Sequence, residues 1–167
     1  MKLSAEDLLS IAEEHWKTEY HDIAKYTVFL YRIKEFTSLQ TNEVTQSFGL
    51  SGTEFDVMAT LRSSATPHIM TPTEVINSML ISSAGLAKIL QNLEKNGWIS
   101  RSIGKKDKRS KLVHLTKKGK RHIEKAMNAV LKFDNEWLTQ TLTDKEFKQL
   151  IKLFQKLNTS LEKRLLE

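Results

Sequence analysis

A short basic run near the middle of the chain offers the clearest chemistry in the sequence. It places four cations around a single carboxylate, Asp107; these are Lys105, Lys106, Lys108 and Arg109. Clustered ammonium and guanidinium groups bind phosphates, and Lys108 and Arg109 are the strongest candidates for specific contacts. Lys105 and Lys106 are expected to attract phosphates diffusely, through their charge, and not to make specific contacts. The competing interpretation of the run is a solvent-exposed turn without a partner.

Two predicted strands flank this basic run. Residues 98–103 (WISRSI) alternate apolar and polar as a half-buried strand does, and residues 111–115 (KLVHL) form the returning strand. The run is therefore expected at the tip of a β-hairpin. A tip this basic suits the minor groove of DNA or the adjacent phosphates, and Arg101 on the first strand is a further candidate for DNA contact.

Two short predicted helices precede the hairpin. Thr71 and Glu74 have the spacing of a capping box that opens the first helix. Ser82 or Ser83 can cap the second, which ends at the Asn96-Gly97 stop signal. The order helix, helix, hairpin is that of a winged helix-turn-helix, in which the second helix reads base edges in the major groove.

The second helix has one apolar face and one face free for contact. Leu86, Ile89, Leu90 and Leu93 fall on one side at helical spacing. The candidates for DNA contact on and before this helix are Thr71, Ser82, Ser83, Ala84, Gly85, Lys88 and Gln91. Glycine inside a helix costs up to about 1 kcal/mol against alanine. Either a close approach to DNA or packing against the preceding helix would explain Gly85.

The positive charge of the chain is concentrated on this segment. All 167 residues together carry a formal charge of +6. Residues 71–122 hold twelve Lys/Arg against three acidic residues, a net of +9, whereas residues 1–70 sum to −4 and residues 123–167 to +1. This distribution favours a phosphate-facing surface over a solvated basic face that has no partner.

Composition excludes several other classes of protein. A chain of this length with 40% hydrophobic residues is expected to form one domain, and the absence of cysteine excludes disulfides and thiolate metal sites. No apolar run could span a membrane and no signal-peptide pattern is present, so we expect a cytoplasmic location. The histidines lack metal-ligand spacing and no phosphate loop or GxSxG elbow occurs, so we expect no cofactor, no metal and no enzyme activity.

Amphipathic helices are predicted on both sides of the basic segment. Ser4 can cap a helix whose apolar pattern continues to about Leu39 and allows an interruption near Tyr20. The polar residues 40–50 predict a loop, and a further helix with the capping box Ser51–Glu54 follows. After the hairpin, a long helix begins at Thr116, and a last helix begins at the capping box Thr143–Glu146. The apolar face of the first helix extends beyond a small domain and indicates a partner subunit. The apolar stripe of the last helix is typical of a core or a coiled-coil seam, and we expect the first and last helices to pack together and against a second copy.

The motifs together resemble the MarR family of DNA-binding regulators. The run GWISR…DKRSKLVHLTKKG is similar to that family's wing, with its Asp-x-Arg tip and the Leu-Thr-x-x-Gly pattern before the next helix. SGTEFDVMATLR and TPTEV…SSAGLAKILQNLEKNGWI match in the same order, so the similarity covers essentially the whole chain. The resemblance implies a mostly α fold with a small β-hairpin wing. It also implies a homodimeric transcriptional regulator, most often a repressor.

The resemblance also implies how the chain is divided. It indicates a single domain in which about residues 1–40 and 143–167 dimerise, about 51–121 form the winged lobe and about 116–138 form a connecting helix. It implies that Arg109 enters the minor groove. Asp107 would orient Arg101 or Arg109 rather than touch DNA. The two recognition helices of a two-fold dimer would lie roughly 34 Å apart and read a near-palindrome.

A site for a small aromatic or phenolic effector is implied by the same resemblance. HWKTEYHDI resembles a Trp-bearing helix in the urate- and phenol-responsive branch of the family, and Asp56 has a counterpart there. Lys88 stands where many relatives have arginine and lacks the planar fork of that side chain, which argues against urate itself. The candidate ligand-binding residues are Trp16, Tyr20, His21, Asp56 and Arg62. The alternative for Trp16 is the core or the dimer interface.

Three other functions stay open at this point. A nonspecific architectural DNA-binding protein would share the basic segment but would prefer no palindrome. A protein-interaction module would dock a partner protein through its winged helix, and the net +9 of residues 71–122 argues against it. A small enzyme would need a catalytic constellation, which the sequence does not offer.

Overall fold

The computed structural model describes residues 3–79, 83–103 and 111–166. These residues form seven helices and three short strands. The helices are α1 (Ala5–His15), α2 (His21–Gln46), α3 (Gly52–Ser63), α4 (Pro72–Met79), α5 (Ser83–Lys95), α6 (Lys117–Thr141) and α7 (Asp144–Leu166). The strands are β1 (Ile69–Met70), β2 (Ile99–Ile103) and β3 (Lys111–Leu115). The predicted mostly α fold with a small hairpin is confirmed.

Four of these helices begin at capping boxes. In each box a serine or threonine oxygen accepts the amide N–H three residues on, and the carboxylate at that position accepts the amide of the cap residue. The pairs are Ser4–Asp7, Ser51–Glu54, Thr71–Glu74 and Thr143–Glu146. The sequence predicted these starts correctly because a capping box is a local pattern.

The prediction of a loop at residues 40–50 is wrong for most of that span. α1 ends at His15, which confirms the interruption near Tyr20, but α2 continues to Gln46. The polar residues 40–46 include neither glycine nor proline, so none of them breaks the helix. The helix ends where Gly49 adopts a φ of +69°, a left-handed conformation that favours glycine.

The sheet contains one strand that the sequence did not predict. Its order is β1-β3-β2 and both pairings are antiparallel, with Ile69 opposite His114 and Ile99 opposite Leu115. β1 has only two residues, too few for a periodic pattern to identify it. The expected half-buried alternation in β2 is also wrong, because only Ile99 of this strand is buried and Ile103 is 65% exposed.

The chain divides into two compact units, Met1–Ile123 and Glu124–Glu167. In the first unit, α3, α4 and α5 bury their apolar faces together with the sheet. The buried side chains include Val57, Met58, Leu61, Val75, Leu86, Leu90, Leu93, Ile99 and Val113. This core fixes which faces of α4 and α5 are left for solvent or a partner.

Long helices in both units expose apolar side chains in the single chain. On α2 these are Ile23, Tyr26, Phe29, Leu30, Tyr31, Ile33, Phe36 and Leu39. On α7 they are Phe147, Ile151, Leu153, Phe154, Leu157 and Leu161. Contiguous exposed apolar side chains on this scale are unusual for a protein that works as a monomer.

Candidate nucleic-acid interface

The second helix of the helix-turn-helix presents a polar face to solvent. α5 turns Leu86, Leu90 and Leu93 into the core and exposes Lys88 and Gln91 on its other side. Gly85 is exposed near the start of the helix, and Ser83 is its first residue. Ser82 lies outside the described residues. This arrangement leaves the face that was predicted to read DNA accessible.

Thr71 has a defined structural task at the start of α4. Its amide N–H donates to Glu74 Oε2 at 2.6 Å, and its hydroxyl donates to the same oxygen at 2.9 Å. The hydrogen bonds from the amide and then from the hydroxyl hold the pKa of Glu74 below its usual range. A DNA contact by Thr71 would therefore be made beside a helix cap.

Arg101 on β2 forms an ion pair with Glu94 in the last turn of α5. Arg101 Nε donates to Glu94 Oε2 at 2.8 Å, and a second guanidinium N–H donates to the same oxygen. These hydrogen bonds lower the pKa of the Glu94 carboxyl and raise the pKa of Arg101. The family resemblance implied that Asp107 orients Arg101 or Arg109, and the sequence analysis missed Glu94 as a partner of Arg101. The signal in the sequence was an acidic residue, Glu94, near the end of the second predicted helix and a basic residue, Arg101, on the strand that follows it.

The basic tip of the hairpin lies outside the described residues, at positions 104–110. Contacts by Lys105, Lys106, Lys108 and Arg109, and the orienting part of Asp107, therefore stay predictions. The two strands that flank these positions are described: β2 and β3 pair from Ile99–Leu115 to Ile103–Lys111.

The α5–β2 turn, residues 96–98, is held by the start of α6. Thr116 Oγ1 donates to the carbonyl oxygen of Gly97 at 2.9 Å, and the Thr116 amide donates to that of Trp98 at 3.0 Å. Lys118 Nζ donates to the carbonyl oxygen of Asn96 at 2.9 Å. All three carbonyl groups of the turn are therefore satisfied by α6 and its cap.

Within the described residues, the candidate effector residues Asp56 and His21 line different clefts. Asp56 lines a cleft of about 560 Å³ with Ser63, Ser64 and Ser78, and a second of about 370 Å³ between α2 and α3. His21 lines a different cleft of about 720 Å³, whose other residues include Glu13, Lys17, Glu19 and Lys25. Partial burial raises the pKa of the Asp56 carboxyl.

The remaining effector candidates lie in two different parts of the chain, the break between α1 and α2 and the end of α3. Trp16 and Tyr20 are 63% and 64% exposed in the break between α1 and α2. Arg62 lies in the last turn of α3. The alternative that placed Trp16 in the core of the single chain is therefore wrong, whereas a dimer interface and a ligand site stay open for it.

Neither a metal site nor a membrane-spanning helix is found in the part of the chain that the structure describes. No group of three or more His, Cys, Asp or Glu side chains there could hold a metal ion. No helix within the same ranges is both long and apolar enough to cross a membrane.

The fold and the exposed surface define the class of protein. α4 and α5 form a helix-turn-helix, a β-hairpin follows, and residues 71–122 carry the net charge of +9. These features together are those of a winged helix-turn-helix DNA-binding protein.

Comparison with known proteins identifies the family. Residues 40–126, just over half of the chain, match the family model described as transcriptional regulator SarA/Rot. The HTH-type transcriptional regulator YwoH of Bacillus subtilis is 34% identical over 117 residues, which cover 69% of this chain and 82% of YwoH. The chain belongs to the MarR family of winged-helix transcriptional regulators, and it is a DNA-binding regulator rather than an enzyme.

Further relatives agree with this assignment. The HTH-type transcriptional regulator PecS of Dickeya dadantii is 27% identical over 135 residues, covering 74% of this chain and 81% of PecS. The crystal structure of wild-type MarR from E. coli in its apo form superposes with a TM-score of 0.69 at 26% identity, covering 77% of this chain and 93% of that one. The predicted resemblance to MarR proteins is confirmed.

Proposed function

We propose that the protein is a dimeric, sequence-specific regulator that represses transcription from a near-palindromic operator. The observation that carries this proposal is the exposed polar face of α5 beside a hairpin, on a segment with a net charge of +9. A structural neighbour, a mutant MarR from E. coli, has been crystallised in complex with operator DNA. The cell compartment that fits this activity is the cytoplasm.

The proposed interface divides its contacts between base edges and phosphates. Lys88 and Gln91 would read base edges in the major groove, and the small residues Ser83, Ala84 and Gly85 would allow a close approach. The contacts assigned to the minor groove and the phosphates come from Arg101, Lys105, Lys106, Lys108 and Arg109. Because phosphate contacts release counterions, binding should weaken steeply as salt rises.

A second copy of the chain is proposed to cover the apolar faces of the terminal helices. The exposed apolar side chains of α2 and α7 support this, since water contact with so many of them is unfavourable. About residues 1–40 and 143–167 would form the dimer base, with about 116–138 as the connecting helix and about 51–121 as the winged lobe. The two recognition helices would then reach successive major grooves roughly 34 Å apart.

A small aromatic or phenolic effector is proposed to modulate the DNA affinity. The clefts that Asp56 and His21 line are large enough for such a molecule, and Trp16 and Tyr20 offer exposed rings. A ligand shifts the protein between two states only through different affinities for them. An effector would therefore favour one spacing of the two lobes over the spacing that matches successive grooves.

Stoichiometry and salt dependence test this proposal on the purified full chain. We expect two chains per specific duplex in sedimentation experiments and a steep loss of affinity with increasing salt. Random duplex should compete poorly with a specific site for the protein. Equal competition would favour an architectural DNA-binding protein, and failure to bind any DNA at low salt would favour a protein-interaction module.

A further inference from the structure

Gly119, the third residue of α6, lies against the α5–β2 turn. A Cβ atom built on Gly119 would lie 1.9 Å from the carbonyl oxygen of Trp98 and 2.8 Å from its carbonyl carbon. Both atoms belong to the backbone, so no side chain could move aside to relieve the overlap. α6 therefore reaches this distance from the α5–β2 turn only with glycine at this position.

His122 lies one turn further along α6 and contacts the same tryptophan. Its ring stacks on Trp98 with the centroids 4.4 Å apart and the planes 12° from parallel. His122 Nε2 donates to the carbonyl oxygen of Phe48 at 2.9 Å, since that carbonyl can only accept. His122 thus joins the segment that follows α2 to the α5–β2 turn.

The contacts of Gly119 and His122 with Trp98 involve the α5–β2 turn, which connects the two elements that are predicted to contact DNA, α5 and the hairpin. α5 enters the α5–β2 turn and β2 leaves it, so the turn sets the angle between the recognition helix and the wing. β2 is five residues long, so its far end at Ile103 lies about 16 Å from the turn and would move about 3 Å for a rotation of about 10°. A displacement of that size breaks hydrogen bonds to DNA.

We propose that Gly119 and His122 are positioning residues for DNA recognition. Together with Thr116 and Lys118 they form a clamp on the α5–β2 turn, which fixes the recognition helix and the wing in the one relative orientation that reaches both grooves. The residues act through Trp98 and the turn and do not touch DNA themselves. The inference rests on the proposed sequence-specific binding.

The substitution Gly119→Ala tests the clamp, with Asn128→Ala as its matched control. Both variants carry alanine on α6 and neither changes the net charge, and Asn128 is exposed. For folded Gly119→Ala protein we expect a loss of about tenfold in operator affinity, the equivalent of roughly one good base contact. Affinity for random duplex should stay within about twofold, because every phosphate-binding cation is retained. Asn128→Ala should match the wild type in both assays.

A second pair of substitutions decides the question if Gly119→Ala does not fold. His122→Phe keeps an aromatic ring on Trp98 but loses the donor to Phe48, and His122→Gln keeps a donor but loses the ring. We expect both to lower the ratio of operator affinity to random-duplex affinity. An unchanged ratio in folded variants would overturn the inference, even if the free energy of unfolding falls. A wild-type protein that prefers no operator would overturn the proposed function and this inference with it.

Discussion

At the scale of single residues, one positive charge of the hairpin, that of Arg101, has an acidic partner that the composition of the chain does not reveal. Arg101 counts as a free cation in the sequence, but its guanidinium group is hydrogen-bonded to Glu94. In the proposed interface, DNA would have to compete with this carboxylate for Arg101. Since both side chains are well exposed to water, the pair itself contributes little to stability, and its main effect is on the electrostatic potential of the surface.

Removal of the Glu94 charge should strengthen DNA binding. In Glu94→Gln the guanidinium group of Arg101 is released and a carboxylate near the DNA is lost. We expect a severalfold gain in affinity for random duplex at low salt, with a slope of log affinity against log salt that is steeper by about one unit. Fluorescence anisotropy over a range of salt concentrations measures both quantities.

The matched control for this variant is Glu43→Gln, which makes the same charge change at an exposed position on α2. Glu43→Gln should change the DNA affinity and the salt slope only by the small amount that follows from removing one negative charge away from the DNA. A Glu94→Gln protein that binds DNA more weakly than the wild type would contradict the prediction. That result would indicate that the ion pair orients the wing instead.

At the scale of secondary-structure elements, the sequence predicted what depends on neighbouring residues and missed what depends on packing. The capping boxes and the stop at Gly97 are local, so they were predicted correctly. The two-residue strand β1 exists only because β3 pairs with it, and no periodic pattern can show that. The Glu94–Arg101 pair and the contact of Gly119 with Trp98 depend on how separate elements approach each other.

The cap of α4 makes a specific prediction about pH. Thr71→Ala removes the hydroxyl that caps the first helix of the helix-turn-helix, and we expect the free energy of unfolding to fall by about 1 kcal/mol at pH 7. The hydrogen bond from the Glu74 amide to the Thr71 hydroxyl does not titrate. The folded-state pKa of Glu74 is lowered by the Thr71 amide and then by the hydroxyl, so the part of the stabilisation that comes from the hydroxyl–carboxylate bond is present above the unfolded-state pKa near 4.5. It is lost as the pH falls through the lower folded-state value.

The difference between wild type and Thr71→Ala should therefore shrink below about pH 4. Urea denaturation at a fixed protein concentration, at pH 7 and at pH 3.5, measures it. Substitution of an exposed serine elsewhere, such as Ser38→Ala on α2, serves as the control and should cost little at either pH. A difference that grows towards low pH would contradict the assigned direction of the pKa shift.

At the scale of the whole molecule, the account depends on a second copy of the chain. Among the described residues, the apolar side chains of α2 and α7 named above are exposed, and the sequence pattern already indicated a partner subunit for the first helix. The position of the proposed effector site was less predictable, because a cleft formed by several helices, or by two copies, has no signature along the chain. Trp16 and Asp56 could be proposed only from resemblance.

Charge placed on the apolar face of α7 should dissociate the proposed dimer. Leu157→Glu introduces a carboxylate among exposed apolar side chains, whereas Gln155→Glu makes the same charge change at an exposed polar position of the same helix. We expect Leu157→Glu to sediment as a monomer and to lose affinity for a two-half-site operator by a factor of about 100 or more. Gln155→Glu should stay dimeric, and a wild-type monomer would refute the proposal.

Selection of bound duplexes from a random DNA pool, at roughly physiological salt, tests whether the dimer recognises a specific sequence. We expect enrichment of a near-palindrome whose half-sites have centres about 10 base pairs apart, because each chain of a two-fold dimer would place one α5 helix in a major groove. Recovery of DNA without any enriched sequence, despite measurable binding, would contradict sequence-specific recognition.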